Sequence, residues 1–542
     1  MMHTTRHRLS LILSATLLAA VTGCARRESA VDHGNRHGIL HLGNGAEPQN
    51  LDPHAVTGVS EHNILSAILE GLVDVTPGTL EPRPGTAASW AVSDDARVYT
   101  FHLRPEARWS NGDPVTAADF IFAYRRILSP ALGAPYAYML YSIEGAEAYH
   151  SGATDDFDSV GLAAPDPHTL VISLRAPVPY FLSLLTHAAW YPVHPPTILA
   201  HGKIDDIRTP WTRPGNFVGN GPFVLTDWVP DRAITVEKSA TYWDRDRVAL
   251  NAIRYHAIAE NSIEEHAFRA GQLHVTGTVP MDRIDHYRQH APDRLLIHPY
   301  LGTYYYLFNT RRPPLDDPRV RLALALAVDR ERITTFVTRG GESPARRFTP
   351  PGIPGYEPDA HLQGGPDEAR ALLAAAGYPG GEGLRTLELL FNTSEAHAEI
   401  AAVLQQMWRR ELGIDVRLVN MEWRTYLEQT QRGDYDIARA GWIADYIDPG
   451  TFLNLFVTGG GNNRSGWSHA DYDEQIRIAA MSADPDERLA AFAEAEAILA
   501  REAPVMPLYY YVSKSLIQPS VRGWTPNVLD RHPVKDLRLV AE

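Results

Sequence analysis

Cysteine is all but missing from this chain: there is one residue in 542, Cys24. No disulfide can close within it, and no cysteine-based metal site is available. A basic surplus is missing too. The 50 Lys and Arg stand against 65 Asp and Glu, a formal charge of −15. That argues against nucleic acid as a partner, because phosphate binding needs basic surface. Catalytic signatures are missing as well. There is no HExxH helix, GxSxG elbow, Walker loop or EF-hand series. None of the 23 histidines makes the i, i+4 pair with a Glu that zinc peptidases need. No catalytic residue, metal set or cofactor is expected, and neither is an enzyme. Asp434 and Asp436 lie in a GDYD stretch that reads as a turn leading into a strand rather than a carboxylate dyad.

What is there begins with a leader. Arg6, His7 and Arg8 precede an apolar run, Leu9–Ala20, too short to span a bilayer. Residues 1–23 read as a signal peptide. The following Val21-Thr22-Gly23-Cys24 resembles a bacterial lipobox, with Val where Leu is commoner. The resemblance implies lipidation of Cys24 and a protein tethered to a membrane. Residues 24–37 are polar and read as the tether between lipid and fold.

The remainder is long and apolar enough, at 44% hydrophobic and 9% aromatic, for a large core in several domains. Strand-like and helix-like stretches alternate, which reads as α/β. The pattern predicts strands at Val98–Leu103, Thr169–Leu174 and Ala233–Val236. It predicts helices at Ala117–Leu128, Pro366–Ala376 and Asp486–Arg501. Aromatics cluster beside charges in Tyr300–Tyr306, Trp423–Phe452 and Leu508–Val512. Tyr and Trp pair an apolar body with a polar tip, which suits a wet cleft. For the Tyr triplets the core reading stands beside the cleft reading.

Several long motifs then fall in one order. They are Glu47-Pro48-Gln49-Asn50-Leu51-Asp52-Pro53-His54, Tyr99–Arg104, Trp109-Ser110-Asn111-Gly112, Pro114–Phe120, Pro299–Tyr306 and Trp442-Ile443-Ala444-Asp445-Tyr446. Together they resemble, nearly end to end, the periplasmic oligopeptide-binding proteins of peptide ABC importers. The resemblance implies a periplasmic-binding-protein-like, two-lobed clamshell with an extra domain. It implies domain I as 38–69, 196–301 and 513–542, domain II as 70–195, and domain III as 302–512. The hinge would lie near 301 and 512, and the lobes would close on a guest. It implies a monomer that binds short peptides and docks on importer permease subunits.

The same resemblance assigns site residues. Asp445 would hold the peptide's ammonium, which cannot be buried without a partner. Gly441, Trp442 and Ile443 would offer a strand edge to the peptide backbone. Tyr136, Trp423, Tyr511 and Tyr304 would wall the side-chain pockets. Arg439 and His397 would receive the carboxylate. Two other basic positions of the family are Thr430 and Thr338 here, with Arg432 and Arg339 nearby as substitutes. An acidic position is Thr57, and a family cysteine pair is Gly302 and Ile443. Murein peptides, haem or a metal chelate remain alternative ligands, and a peptide sensor without transport remains an alternative role.

Overall fold

The computed structural model describes residues 28–540. The signal peptide and Cys24 lie outside the described residues. Polarity alone marks 24–37 as a tether, but the fold already begins at Ser29. The Ser29 hydroxyl accepts from the Asp32 N–H at 3.0 Å and caps a helix, Ala30–His37, which Gly38 closes at φ 66°. Val31 and Gly34 face inward from this helix. Gly34 lies so close to the His274 ring that an added Cβ would come within 2.7 Å of it. A two-residue apolar stripe is enough to dock the helix and too small to register as periodicity.

Three larger sheets organise the chain. In one, Ile39–Gly43 pairs in parallel with Ala252–His256, followed by antiparallel Ala233–Lys238 and Phe223–Val229. A second is antiparallel: Ala87–Val92, Val98–Leu103, Thr169–Ser173 and Leu162–Asp166. One continuous apolar core underlies both and takes in Val521, Val534 and Leu537 from the C-terminal segment. The third sheet has six strands, in the order Ser343–Pro344, Val505–Leu516, Leu295–Phe308, Ile437–Ile443, Leu387–Asn392 and Val416–Met421.

Strand Leu295–Phe308 shows why this third sheet is buried on both faces. Side chains alternate across a strand. Tyr304, Tyr306 and Phe308 enter one core with Leu389 and Trp408, while Tyr305 and Leu307 enter another with Leu390 and Ala438. The same strand begins elsewhere: Leu295 and Ile297 pack with Phe268, Leu273 and Leu516. It therefore carries the chain from one lobe to the other, and its antiparallel partner Val505–Leu516 carries it back. Their pairing slips between Pro299 and Thr303, where the register is irregular. No helix among the described residues is long and apolar enough to cross a membrane.

Candidate functional site

A cavity of about 650 Å³ opens between the lobes. Strand Ile437–Ile443 runs along it. On one side this strand pairs with Leu295–Phe308 from Ile437 through Ile443. On the other, it pairs with Leu387–Asn392 only at Ile437 and Ala438. From Arg439 to Ile443 one backbone edge is therefore free of strand partners and borders the cavity. Gly441 lets this edge sit close to Tyr511, since an added Cβ would fall 2.5 Å from the Tyr511 hydroxyl.

Asp445 sits just past the end of that strand, 7% exposed. Its backbone N–H donates to Thr451 Oγ1 at 2.9 Å, and its carbonyl accepts from Arg531 at 2.7 Å. The turn is set by Asp448 instead, which accepts from the Gly450 N–H at 2.8 Å and pairs with Arg488 at 2.6 Å. The Asp445 carboxylate is left for other work. Its neighbours are distant: His187 Nε2 at 3.3 Å, Thr451 Oγ1 at 3.3 Å and the Tyr136 hydroxyl at 3.5 Å. Charge-assisted hydrogen bonds are normally shorter, about 2.7–2.9 Å. No Lys or Arg side chain among the described residues pairs with it. Burial, then the charge of Asp445, pushes the Tyr136 hydroxyl well above its ordinary range, so it stays a donor.

Arg439 is the opposite case. It donates to the Tyr511 hydroxyl at 2.8 Å and lies over the Tyr304 ring at 4.6 Å. No carboxylate among the described residues pairs with it, and its Nε has no partner. Both lysines on the wall are neutralised: Lys535 by Glu70 at 3.0 Å and Asp74 at 2.8 Å, Lys514 by Glu342. His397 is pushed well below its ordinary range by burial and then by Arg439, so its ring is neutral. The cavity thus has a buried anion at one end of a free strand edge and a half-buried cation at the other. The indole N–H groups of Trp423 and Trp442 are also buried without partners.

The structure brings Tyr136, His397, Trp423, Arg439, Gly441, Trp442, Ile443, Asp445 and Tyr511 to the lining of this one cavity. Tyr304 lies behind it, fully buried, with its hydroxyl 3.3 Å from His397 Nδ1. It supports Arg439 and His397 rather than lining a pocket. Arg432 and Arg339 do not reach the cavity either. Arg432 pairs with Glu428 on the surface, and exposed Arg339 donates to the Phe336 carbonyl. Arg464 stands in the gap, 3.3 Å from Thr430 Oγ1 and 3.5 Å from Thr57 Oγ1. Gly302 and Ile443 are direct cross-strand partners, and Ile443 Cδ1 lies 2.4 Å from where a Gly302 Cβ would stand. Arg464, Arg531, His62 and His187 line the cavity without any local motif to mark them.

Residues 81–464 match the model of the bacterial extracellular solute-binding proteins, family 5 Middle. The chain is 37% identical over 532 residues to the periplasmic oligopeptide-binding protein OppA of Escherichia coli (strain K12), covering 95% of each. Haemophilus influenzae OppA in complex with the peptide RPPGFSPFR superposes with a TM-score of 0.89 at 34% identity, covering 93% of this chain and 99% of that one. The Escherichia coli murein tripeptide-binding protein MppA, 35% identical, also covers 93% of this chain and 99% of that one, with a TM-score of 0.89. Its unliganded open form covers 93% and 98% but reaches only 0.62. The cleft described here therefore has the closed arrangement.

Proposed function

The chain belongs to the bacterial extracellular solute-binding proteins of family 5, and from that premise we propose that it captures short peptides with a free amino terminus and delivers them to an ABC-type importer. One observation carries the reading. A buried carboxylate, Asp445, with no Lys or Arg partner, and a half-buried guanidinium, Arg439, with no carboxylate partner among the described residues, stand at the two ends of an unpaired strand edge. An extended peptide brings an ammonium, a carboxylate and a row of backbone donors and acceptors, the complement of each part. The Asp445 carboxylate binds the ammonium, with Tyr136 and His187 beside it. Gly441, Trp442 and Ile443 pair with the guest backbone. Trp423 and Tyr511 wall the side-chain pockets, and Arg439 with His397 receives the carboxylate.

The lobes correspond to domain I (38–69, 196–301 and 513–542) with domain II (70–195), and to domain III (302–512). The hinge is the pair of crossings near 301 and 512, where the strand register slips. The protein acts as a single chain, tethered through lipid on Cys24 and presented to permease subunits.

A second reading, a receptor for murein peptides, draws on Arg464, a further cavity cation with no carboxylate partner among the described residues. Such peptides carry more than one carboxylate. Mass spectrometry of ligands released from protein purified without refolding, followed by calorimetry with a di- to pentapeptide panel and a murein tripeptide, tests both. Submicromolar binding of ordinary free-amino peptides supports the first reading. Binding confined to the murein peptide supports the second, and failure of every peptide refutes both.

A further inference from the structure

At the lobe crossings His298 meets Asp530 and His532, more than two hundred residues on, and the latter two line the same cavity as the strand edge. His298 lies on strand Leu295–Phe308, and Asp530 and His532 lie on the C-terminal segment. One donor atom from each lies within 4.8 Å of the others. His298 Nε2 is 3.2 Å and His532 Nε2 2.8 Å from the same oxygen, Asp530 Oδ1. Around a tetrahedral zinc with Zn–N near 2.0–2.1 Å, neighbouring ligand atoms stand about 3.3 Å apart. The two nitrogen–oxygen distances need to open only slightly to reach that spacing, and the two imidazole nitrogens lie within 4.8 Å of each other.

The hydrogen inventory shows that His298 and Asp530 need a cation between them. His298 Nδ1 lies 3.0 Å from the Pro299 carbonyl, which can only accept, so Nδ1 carries the ring hydrogen. In the neutral ring Nε2 is then a bare lone pair. It is buried and faces the Asp530 carboxylate oxygen at 3.2 Å, a contact that needs a cation, proton or metal ion, between the two atoms. Two lone pairs at this distance repel unless a cation sits between them. The surroundings hold the donors in place as outer-shell partners of a metal do. Ser513 donates to Asp530 Oδ2 at 2.9 Å, and Trp524 stacks on His532 with ring centroids 4.0 Å apart. Asn527 ties the loop through the Leu529 and Arg531 N–H groups and the Arg531 carbonyl. Asp530 itself stands at φ 50°, the left-handed region that non-glycine residues seldom adopt.

We propose that His298, Asp530 and His532 form a site for a borderline divalent cation of the Zn(II) type, with water completing its coordination. Two imidazoles and one carboxylate suit zinc, copper or nickel rather than calcium or magnesium. The bound ion joins the strand entering the second lobe to the loop that returns from it. That loop carries Arg531, whose guanidinium holds the Asp445 carbonyl. Occupancy therefore braces both the hinge and the anchor of the guest ammonium.

The test is Zn(II) titration of the untagged, chelator-treated protein by calorimetry, with Co(II) absorption spectra as a report on geometry. One equivalent is expected, with visible bands of a tetrahedral or five-coordinate Co(II). H298A and H532A each weaken Zn(II) by more than about tenfold. Circular dichroism without metal checks their folding. If the variants do not fold, protection of His298 and His532 from diethyl pyrocarbonate by Zn(II), mapped by mass spectrometry, decides instead. The proposal is overturned if no saturable binding occurs, which leaves a proton as the bridging cation. Binding unaltered in folded H298A and H532A, or absent protection, also overturns it.

Discussion

Replacing Asp445 by Asn keeps the shape of the anchor and removes its charge. The Thr451 and Arg531 contacts go to backbone atoms of residue 445, so both survive. In the guest-free cavity the carboxylate's contacts are all at 3.3–3.5 Å. An incoming ammonium is thus its first strong partner. Two unit charges 4 Å apart attract by about 4 kcal/mol at an effective dielectric near 20. Leaving a buried ammonium unpaired costs about 3–5 kcal/mol. The expected loss for Asp445→Asn is therefore about 3 kcal/mol, or roughly 100-fold in Kd. Calorimetry with a tripeptide measures it. The sharper assay is a cycle using the N-acetylated tripeptide. Acetylation should weaken wild-type binding by a similar factor and weaken the variant far less, because the partner is already gone. If the two losses simply add, or the acetylated peptide binds the wild type as well as the free one, Asp445 is not the anchor.

Arg439→Met should cut affinity for a free-carboxylate peptide by about 2–5 kcal/mol and make the protein indifferent to C-terminal amidation; equal binding of free and amidated tripeptides by the wild type would count against the assignment. Acid should weaken the fold. Burial holds His41 and His54 at about 3, and His256 and His274 at about 4, against an ordinary 6.5. These rings stay neutral in the fold while the unfolded chain takes up protons below pH 6.5. Their stabilisation is thus complete above 6.5 and lost as pH falls toward 4. One such ring costs about 2 kcal/mol between pH 6.5 and 4.5, and the urea midpoint should drop clearly from pH 7.5 to 5.0; an unchanged midpoint contradicts this. Cys24→Ser should move the protein from the membrane fraction to the soluble one, and continued sedimentation with membranes would rule out the lipid tether.

Local signals carried the elements that have local causes. Helix Ala117–Leu128 is bounded as its sequence predicts because Thr116 and Asp119 form a capping box and Phe120, Ala123, Tyr124 and Ile127 make one buried stripe. The helix expected at Asp486–Arg501 extends by one residue at each end, to Pro485 and Glu502, with Asp484 as its cap. Asp434 and Asp436 do precede a strand, and Asp436 binds Arg385 at 2.6 Å. The Tyr304-Tyr305-Tyr306 run looked alike in sequence but divides by strand alternation between two cores, which leaves Tyr304 behind the wall. Arg464 and His187 reach the cavity through tertiary placement alone. Nothing within several residues of either distinguishes it from a surface cation or a core imidazole. The stand-ins Arg432 and Arg339 failed for the converse reason: nearness in sequence to Thr430 and Thr338 does not set side-chain direction, and both Thr residues are buried.

The closed cleft carries an energetic consequence. Closure buries Asp445 and half-buries Arg439, and among the described residues neither pairs with an oppositely charged Lys, Arg, Asp or Glu side chain. An unpaired buried charge costs several kcal/mol, so the closed state without a guest is penalised at both ends of the strand edge. On the proposed assignment a peptide removes both penalties at once, and its differential affinity for the closed state shifts the lobes. That shift depends on the termini and backbone, which every short peptide shares. Side chains enter a cavity of about 650 Å³ with aromatic walls, roomy enough for water beside them. Tolerance of sequence and insistence on free termini thus follow from one arrangement. A guest lacking either terminal charge should leave the lobes open far more of the time, even where its side chains fit.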